Sequence, residues 1–359
     1  MNNIKISFCT TCMNRLHHLK QTLPKNIEEN KSYPFIQFVL LDYNSKDGLE
    51  KWVRKQMMKY IENDLLLYLK TYDPQYFHTS HAKNMVSLYA DGDVICNIDS
   101  DNFVGKDFSY YLNKQFNMHK DIFLTGRSPY GSRDTFGKIC LKKSDFLLVR
   151  GYDESILGYG FEDDDLYTRL ERIQRRKVPI MNSQFLRCIS HDLNERLTNE
   201  YMLNNLQFIL LDRLDKEAME VILLKRDFSF KKGTLIPNKY QTGVPYCLKN
   251  KSWQQGVWVD RDNELLLRTD VNGSMTLKTN DGGYIYSSTS HSRKYTFTKL
   301  LDQKEIFEAL YFYNLITNQE VYEKNKKSGK SNINLSGFGK GIVYKNFDYN
   351  KPVNANSIL

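Results

Sequence analysis

The chain is poor in cysteine and has no long apolar run. Its six cysteines are scattered through 359 residues, unlike the dense framework of a disulfide-stapled domain. Cys9 and Cys12 form one C-x-x-C without a second pair, which reads as two free thiols at the end of a buried strand. No stretch reaches the roughly 18 apolar residues of a membrane helix. The opening "MNNIKISFCTTC" has no basic leader before an apolar segment, so no signal peptide is read. A reducing cytoplasm fits, with peripheral contact at the inner face of a membrane left open. Internal repeats, nucleic-acid-binding motifs and a dense basic stripe are also missing.

The length suggests two domains, or one large domain with an appendage. Hydrophobic residues make up 41% and charged residues 26%, as in soluble globular proteins. The formal net charge is +9, which favours an anionic partner such as a nucleotide, a nucleic acid or an acidic membrane face. The basic residues are dispersed apart from short clusters such as "RRK" at 175–177 and "KNKKSGK" at 324–330. There are 24 tyrosines and 20 phenylalanines, either filling half-buried positions or presenting surfaces for sugars, bases or proteins.

Along the first 212 residues, apolar strand patterns alternate with helical spacing. Strands are expected at 4–11, 36–48 with a polar turn at its end, 65–71, and 93–102 ending in acids. Helices are expected over 14–30, 49–61 and 81–90, the first despite Pro24. This order predicts an α/β fold with a parallel sheet, whose ligands sit beyond the carboxyl ends of the strands. Asp42, Asp99 and Asp101 lie at such ends. After residue 212 short alternating segments with turns at "VNG" and "NDGG" predict a β-meander. A helix over 302–316 follows, with Asp302 and Glu305 at capping-box spacing. A polar tail beyond 324 is expected to be loosely ordered in part. Trp253 and Trp258 belong either to a small core or to a carbohydrate-facing surface.

Two acidic motifs carry the chemistry. In "NIDSDNF", Asp99 and Asp101 are two apart past an apolar strand and would face one spot in extended chain. Such a pair suits Mg²⁺ or Mn²⁺, which would bridge to a diphosphate; a solvated turn is the plainer alternative. In "GYGFEDDDLYTRL", Glu162 to Asp165 precede helical spacing at Leu166, Leu170 and Ile173. The first helical turn favours carboxylates by about 0.3–1 kcal/mol each, and Asp165 can pair with Arg169 at i+4. Capping leaves Gly158 and Gly160 unexplained, since glycines allow a ligand close to the backbone. Four acids could instead bind sugar hydroxyls, one serving as general base.

With these residues in view, "GYDESILGYGFEDDDLYTRL" resembles the acceptor-binding segment of β-1,4-galactosyltransferases, W-G-W-G-G-E-D-D-D before a helix. "FGKICLKKSDFLLVRGYDE" and "MNRLHHLK" resemble their preceding segment and their R-N-R-x-x-H-L-K. "FVLLDYNSKDG" is similar to the D-x-x-S-x-D-G turn of family 2 glycosyltransferases, and "HAKNMVSLYADGDVICNIDSDN" to the A-R-N…D-x-D region of both. The resemblance spans about residues 3–212. It implies a GT-A fold, a Rossmann-like nucleotide-diphospho-sugar transferase domain over 1–212, with residues 213–359 as a smaller β-rich accessory region.

The resemblance further implies donor contacts from Thr11, Arg15, Asp42, Lys83 and Asp99. It implies acceptor contacts from Tyr159, Gly160, Glu162, Asp163 and Asp164, with Asp163 as catalytic base. Metal ligation would fall to Asp101 and His191 with Asp99 nearby, and Cys188 replaces a methionine ligand. Met13, Tyr159 and Phe161 depart from the family's Arg, Trp and Gly. The expected activity is metal-dependent inverting transfer of a hexose from a UDP-sugar to a hydroxyl of a saccharide or glycoconjugate, using Mn²⁺ or Mg²⁺. A transferase acting on modified nucleic acid and a non-catalytic sugar-binding module are the alternatives.

Overall fold

The computed structural model describes residues 2–213, 219–227, 229–237, 247–248, 251–261, 267–271, 274–278, 284–287, 296–329 and 333–354. It divides into two compact units. The first comprises 1–157, 161–191 and 321–359, and the second 158–160 and 192–320. The boundary thus falls after His191 rather than at 212, which lies inside a strand, and the end of the chain returns to the first unit.

The first unit opens with β1 (Ile6–Cys12), α1 (Leu16–Glu28), β2 (Ile36–Tyr43), α2 (Leu49–Gln56), α3 (Met58–Glu62), β3 (Leu66–Thr71), α4 (Thr79–Tyr89) and β4 (Val94–Asn97). There follow β5 (Asn102–Phe103), α5 (Phe108–Met118), β6 (Ile122–Thr125), β7 (Ile139–Lys142), α6 (Lys143–Leu148), α7 (Glu162–Arg172), β8 (Arg176–Pro179) and β9 (Arg187–Cys188). The expected single helix over 49–61 is two, parted at Met57.

The second unit holds α8 (Leu193–Leu197), α9 (Tyr201–Asn205), β10 (Leu206–Arg213), β11 (Met219–Lys225), β12 (Phe230–Pro237), β13 (Cys247–Leu248), β14 (Lys251–Arg261), β15 (Leu267–Val271), β16 (Ser274–Lys278), β17 (Tyr284–Ser287) and β18 (Thr296–Lys299). Helix α10 (Gln303–Ser328) follows, then β19 (Ile342–Lys345) and β20 (Val353–Asn354) in the first unit.

The main sheet of the first unit runs β20-β19-β3-β2-β1-β4-β7-β6-β8. β1, β2, β3 and β4 are mutually parallel where they pair, and β7 and β19 run antiparallel to their neighbours. Strands buried on both faces read as near-continuous apolar runs, and β1 is buried along almost its whole length. The period of two sends alternate residues to opposite layers. Phe8, Phe38, Leu40 and Tyr68 join one core with Leu19, Leu23 and Val53 of α1 and α2. Cys9, Val39, Leu41 and Leu69 join another with Met85 and Val86 of α4. The expected α/β class with a mostly parallel sheet is what forms.

The β-rich region forms a sheet of order β13-β14-β12-β11-β10-β18-β17-β16-β15, antiparallel except for the β17–β18 pair. A core of Leu197, Ile209, Val221, Leu223, Leu310 and Ile316 anchors it. The side chains of Trp253, Trp258 and Glu305 lie outside the described residues. Helix α10 begins one residue after Asp302 and continues to Ser328, well past the expected end at 316. No helix among the described residues is long and apolar enough to cross a membrane.

Within the tail, expected to be loosely ordered in part, residues 333–354 are fixed against the first unit. β19 pairs with the edge strand β3, Tyr344 opposite Lys70, and the Asn346 side chain accepts from the Tyr68 amide at 2.9 Å. Phe338 is 2% exposed and meets Phe146 edge-on at 6.0 Å. Polar composition concealed a few apolar anchors, each of which seals an edge. Phe338→Ala should therefore lower unfolding free energy by about 3–5 kcal/mol. A urea midpoint equal to wild type would show that the tail does not support the core.

Candidate active site

Of the expected donor residues, Thr11, Arg15, Asp42 and Asp99 lie at or just beyond the carboxyl ends of strands, and Lys83 lies within α4. Thr11 is the penultimate residue of β1, and Arg15 is the N-cap residue of α1. Asp42 is the penultimate residue of β2, in register with Cys12 and Lys70. Its carboxylate is fully buried and accepts from the Ser45 amide, the Tyr68 hydroxyl and the Lys70 ammonium, each at 2.8 Å. Asp42 is thus committed inside the fold, and its ring of partners shapes the strand ends.

Asp99 and Asp101 occupy a turn between β4 and β5, closed by the Asn102 amide donating to the Asp99 carbonyl at 2.9 Å. They are not on an extended strand, as the i, i+2 reading assumed. β5 pairs with β9, Asn102 opposite Cys188, and the Ile189 amide donates to the Asp101 carbonyl at 2.9 Å. This short ladder sets His191 Nε2 2.9 Å from Asp101 Oδ2. The His18 ring lies 5.7 Å from that of His191. Cys188 is half-buried, with its sulfur 3.1 Å from the Ser132 hydroxyl.

Burial opposes ionisation of Asp101, but hydrogen bonds from His191 and Asn102 prevail and hold its carboxyl below the ordinary range. Burial pushes Asp99 up to about 6; Lys83 and Lys138 oppose the rise, while Asp101 and Asp163 add to it. The backbone of Gly137 runs against Asp99: a Cβ there would sit 2.6 Å from Oδ2. An imidazole nitrogen and a carboxylate oxygen suit Mn²⁺ or Mg²⁺, so the donor types of Asp101 and His191 fit a divalent cation, and the charge of Asp101 acts on Asp99.

The four acids all lie in the first turn of α7, where the helix dipole favours them. Each meets a cation. Lys83 Nζ donates to Asp163 Oδ1 at 3.1 Å and to Glu162 Oε1 at 3.3 Å. Arg127 grips Asp164 through two bonds of 2.6 and 2.7 Å. Arg169 donates to Asp165 at 2.8 Å, the expected i+4 pair. A basic chain can therefore concentrate acids here because three buried or half-buried cations neutralise them. Lys83, expected at the donor, contacts Glu162 and Asp163, which are expected at the acceptor. Burial opposes its charge, yet Asp163, Tyr152, Glu162 and Asp99 hold the ammonium well above its ordinary range. Burial and the charge of Asp163 raise Glu162.

Phe161 caps α7 with φ at 68°, a left-handed conformation that suits glycine far better. It occupies the position where the resembled motif has Gly, and its ring rests 5.7 Å from Tyr322. In the second unit, Gly158 and Gly160 also have positive φ. A Cβ on either would lie 2.7 Å from Asn314 or Leu315, so these glycines admit helix α10. Tyr159 packs 5.5 Å from Tyr311 and takes a hydrogen bond from Arg196.

Arg127 and Lys138 were not legible as site residues. Arg127 reaches Asp164 through tertiary contact, the charge of Asp99 acts on Lys138, and no local spacing announces either. Lys138 is fully buried, and that burial pushes its ammonium down to about 8.

Residues 124–189 match the family model described as the N-terminal domain of galactosyltransferase. The match covers α7 with its acids and stops just short of His191, and it bears out the glycosyltransferase resemblance over that segment. Comparison with curated proteins gives no match. Among solved structures, the chain is similar to the mannosyltransferase PcManGT from Pyrobaculum calidifontis in complex with GDP-Man and Mn²⁺. That alignment is 15% identical with a TM-score of 0.43, over 51% of this chain and 56% of the other. S. aureus TarS 1–349 in complex with UDP-GlcNAc aligns at 14% identity and TM-score 0.45, over 55% and 62%. A mutant Drosophila β-1,4-galactosyltransferase 7 with manganese, UDP-Gal and xylobiose aligns at 12% and 0.38, over 59% and 88%. The aligned region spans less than two thirds of the first two chains.

Asp99's elevation sets a pH signature. A carboxyl raised from 3.8 to about 6 favours folding below the lower value and loses that contribution as pH rises through the upper one. In metal-free protein, Asp99→Asn should therefore gain about 3 kcal/mol at pH 8, fading toward pH 4. Urea unfolding with chelator measures this; a gain equal at both ends would remove burial as the cause.

Proposed function

We propose that the chain is a metal-dependent, inverting glycosyltransferase that moves a hexosyl group from a UDP-sugar to a hydroxyl of a saccharide or glycoconjugate. The observation that carries this reading is that the charges of Asp101, Lys83 and Asp163 all act on Asp99, with the Lys83 ammonium 3.1 Å from Asp163 Oδ1. Asp101 itself touches His191. The pair that would hold the cation and the carboxylate that would act as base thus both act electrostatically on Asp99.

Asp163 accepts the acceptor's hydroxyl proton as that oxygen bonds to the anomeric carbon and the bond to the diphosphate breaks. Lys83 holds Asp163 and Glu162 in place and keeps their charge tolerable in a buried site. Asp101 and His191, with Asp99 adjacent, would hold Mn²⁺ or Mg²⁺. When bound, that cation offsets the charge on the UDP leaving group. Thr11 and Arg15, at the strand ends, are positioned for the donor, and Asp42 supports that wall from beneath. A cytoplasmic setting accords with the five cysteines that are free among the described residues.

A panel of nucleotide sugars with Mn²⁺ tests the reading. UDP release in the presence of a saccharide acceptor is expected from one UDP-sugar, and Asp163→Asn should bind UDP normally while losing at least about 10²-fold in transfer rate. Transfer by that variant at the wild-type rate would remove Asp163 from the role, and failure of every nucleotide sugar would favour a binding module.

A further inference from the structure

We infer that Lys138 is a positioning residue that clamps together the two segments carrying Asp101 and His191. The inference rests on the metal reading above, and its observations are independent of it. Nothing in the resembled motifs assigns a role to this lysine.

The β5–β9 ladder is small: two residue pairs, forming a sheet of their own outside the main sheet. A two-stranded ladder of this size is marginal in isolation, yet it sets the register that brings Asp101 to His191. Lys138 supplies the missing support. Its ammonium donates to the Phe103 carbonyl at 2.9 Å and to the Phe185 carbonyl at 2.5 Å. Phe103 ends β5, and Phe185 lies two residues before β9. One side chain therefore ties the last residue of β5 to the turn that leads into β9. The lysine is 0% exposed, so water cannot replace its bonds. Asp99, against the preceding Gly137, is the carboxylate whose charge acts on it. A buried, desolvated ammonium without a close ion pair is expensive, and so is unlike a packing choice that any apolar residue could make.

Lys143 provides the matched control. Its ammonium also donates to two backbone carbonyls, those of Leu88 and Ala90, away from the ligands. The experiment uses the full chain as wild type, Lys138→Met and Lys143→Met. Mn²⁺ affinity is read from the free-ion electron paramagnetic resonance signal. Amide exchange over 99–104 and 185–191 is read without metal. Lys138→Met should weaken Mn²⁺ binding by about 10–100-fold and speed exchange in both segments. Lys143→Met should leave both readings within twofold, although its melting temperature falls. Should Lys138→Met not fold, Lys138→Gln, which keeps one donor group, is read the same way. Unchanged exchange in the Lys138 variants, or equal losses from Lys143→Met, overturns the clamp. Wild type that binds no Mn²⁺ overturns the metal reading instead, while exchange still decides the clamp.

Discussion

One buried ammonium, that of Lys83, makes the arrangement of acids possible. Glu162 and Asp163 are both less than a tenth exposed, and two such carboxylates side by side would not both ionise without a counter-charge. Lys83 comes from α4, on one face of the sheet, and the acids from the first turn of α7. Their meeting ties two distant stretches of chain at the place where chemistry is proposed. Breaking a buried pair is far more damaging than never having built one, so this contact constrains what the neighbouring positions can be.

The same logic recurs around it. Arg127 holds Asp164, Arg169 holds Asp165, and Lys70 holds Asp42. Arg127 ties the first turn of α7 to the chain just past the end of β6, Arg169 and Asp165 pair within α7, and Lys70 joins β3 to Asp42 of β2. Burial raises the Asp99 carboxyl to about 6, and the charges of Asp101 and Asp163 add to the rise; Glu162 is raised as well. Asp99, under that strain, is where a cation would relieve most free energy. Strain of this kind gathers at functional sites.

The strands, their order and the carboxyl-end location of the acids were legible because buried parallel strands leave apolar runs bounded by polar turns. The i+4 partner of Asp165 was legible for the same local reason. Arg127, Lys138 and the role of Lys83 at Glu162 and Asp163 were not, because each acts across long sequence distance. Gly158 and Gly160 misled: the sequence signals close approach but not what approaches, which is Asn314 and Leu315 of α10. The tail misled in the opposite sense, since Phe338 and Val343 are single anchors in polar surroundings and periodicity cannot register them.

The central claim is that Asp101 and His191 hold the cation that serves the diphosphate of the donor. Anomalous diffraction at the manganese edge, from crystals grown with UDP and Mn²⁺, tests it most directly. The account predicts one manganese peak at bonding distance from an Asp101 oxygen and a His191 nitrogen, with the diphosphate as its other ligand. UDP bound with no such peak, or with manganese held by other residues, would contradict it.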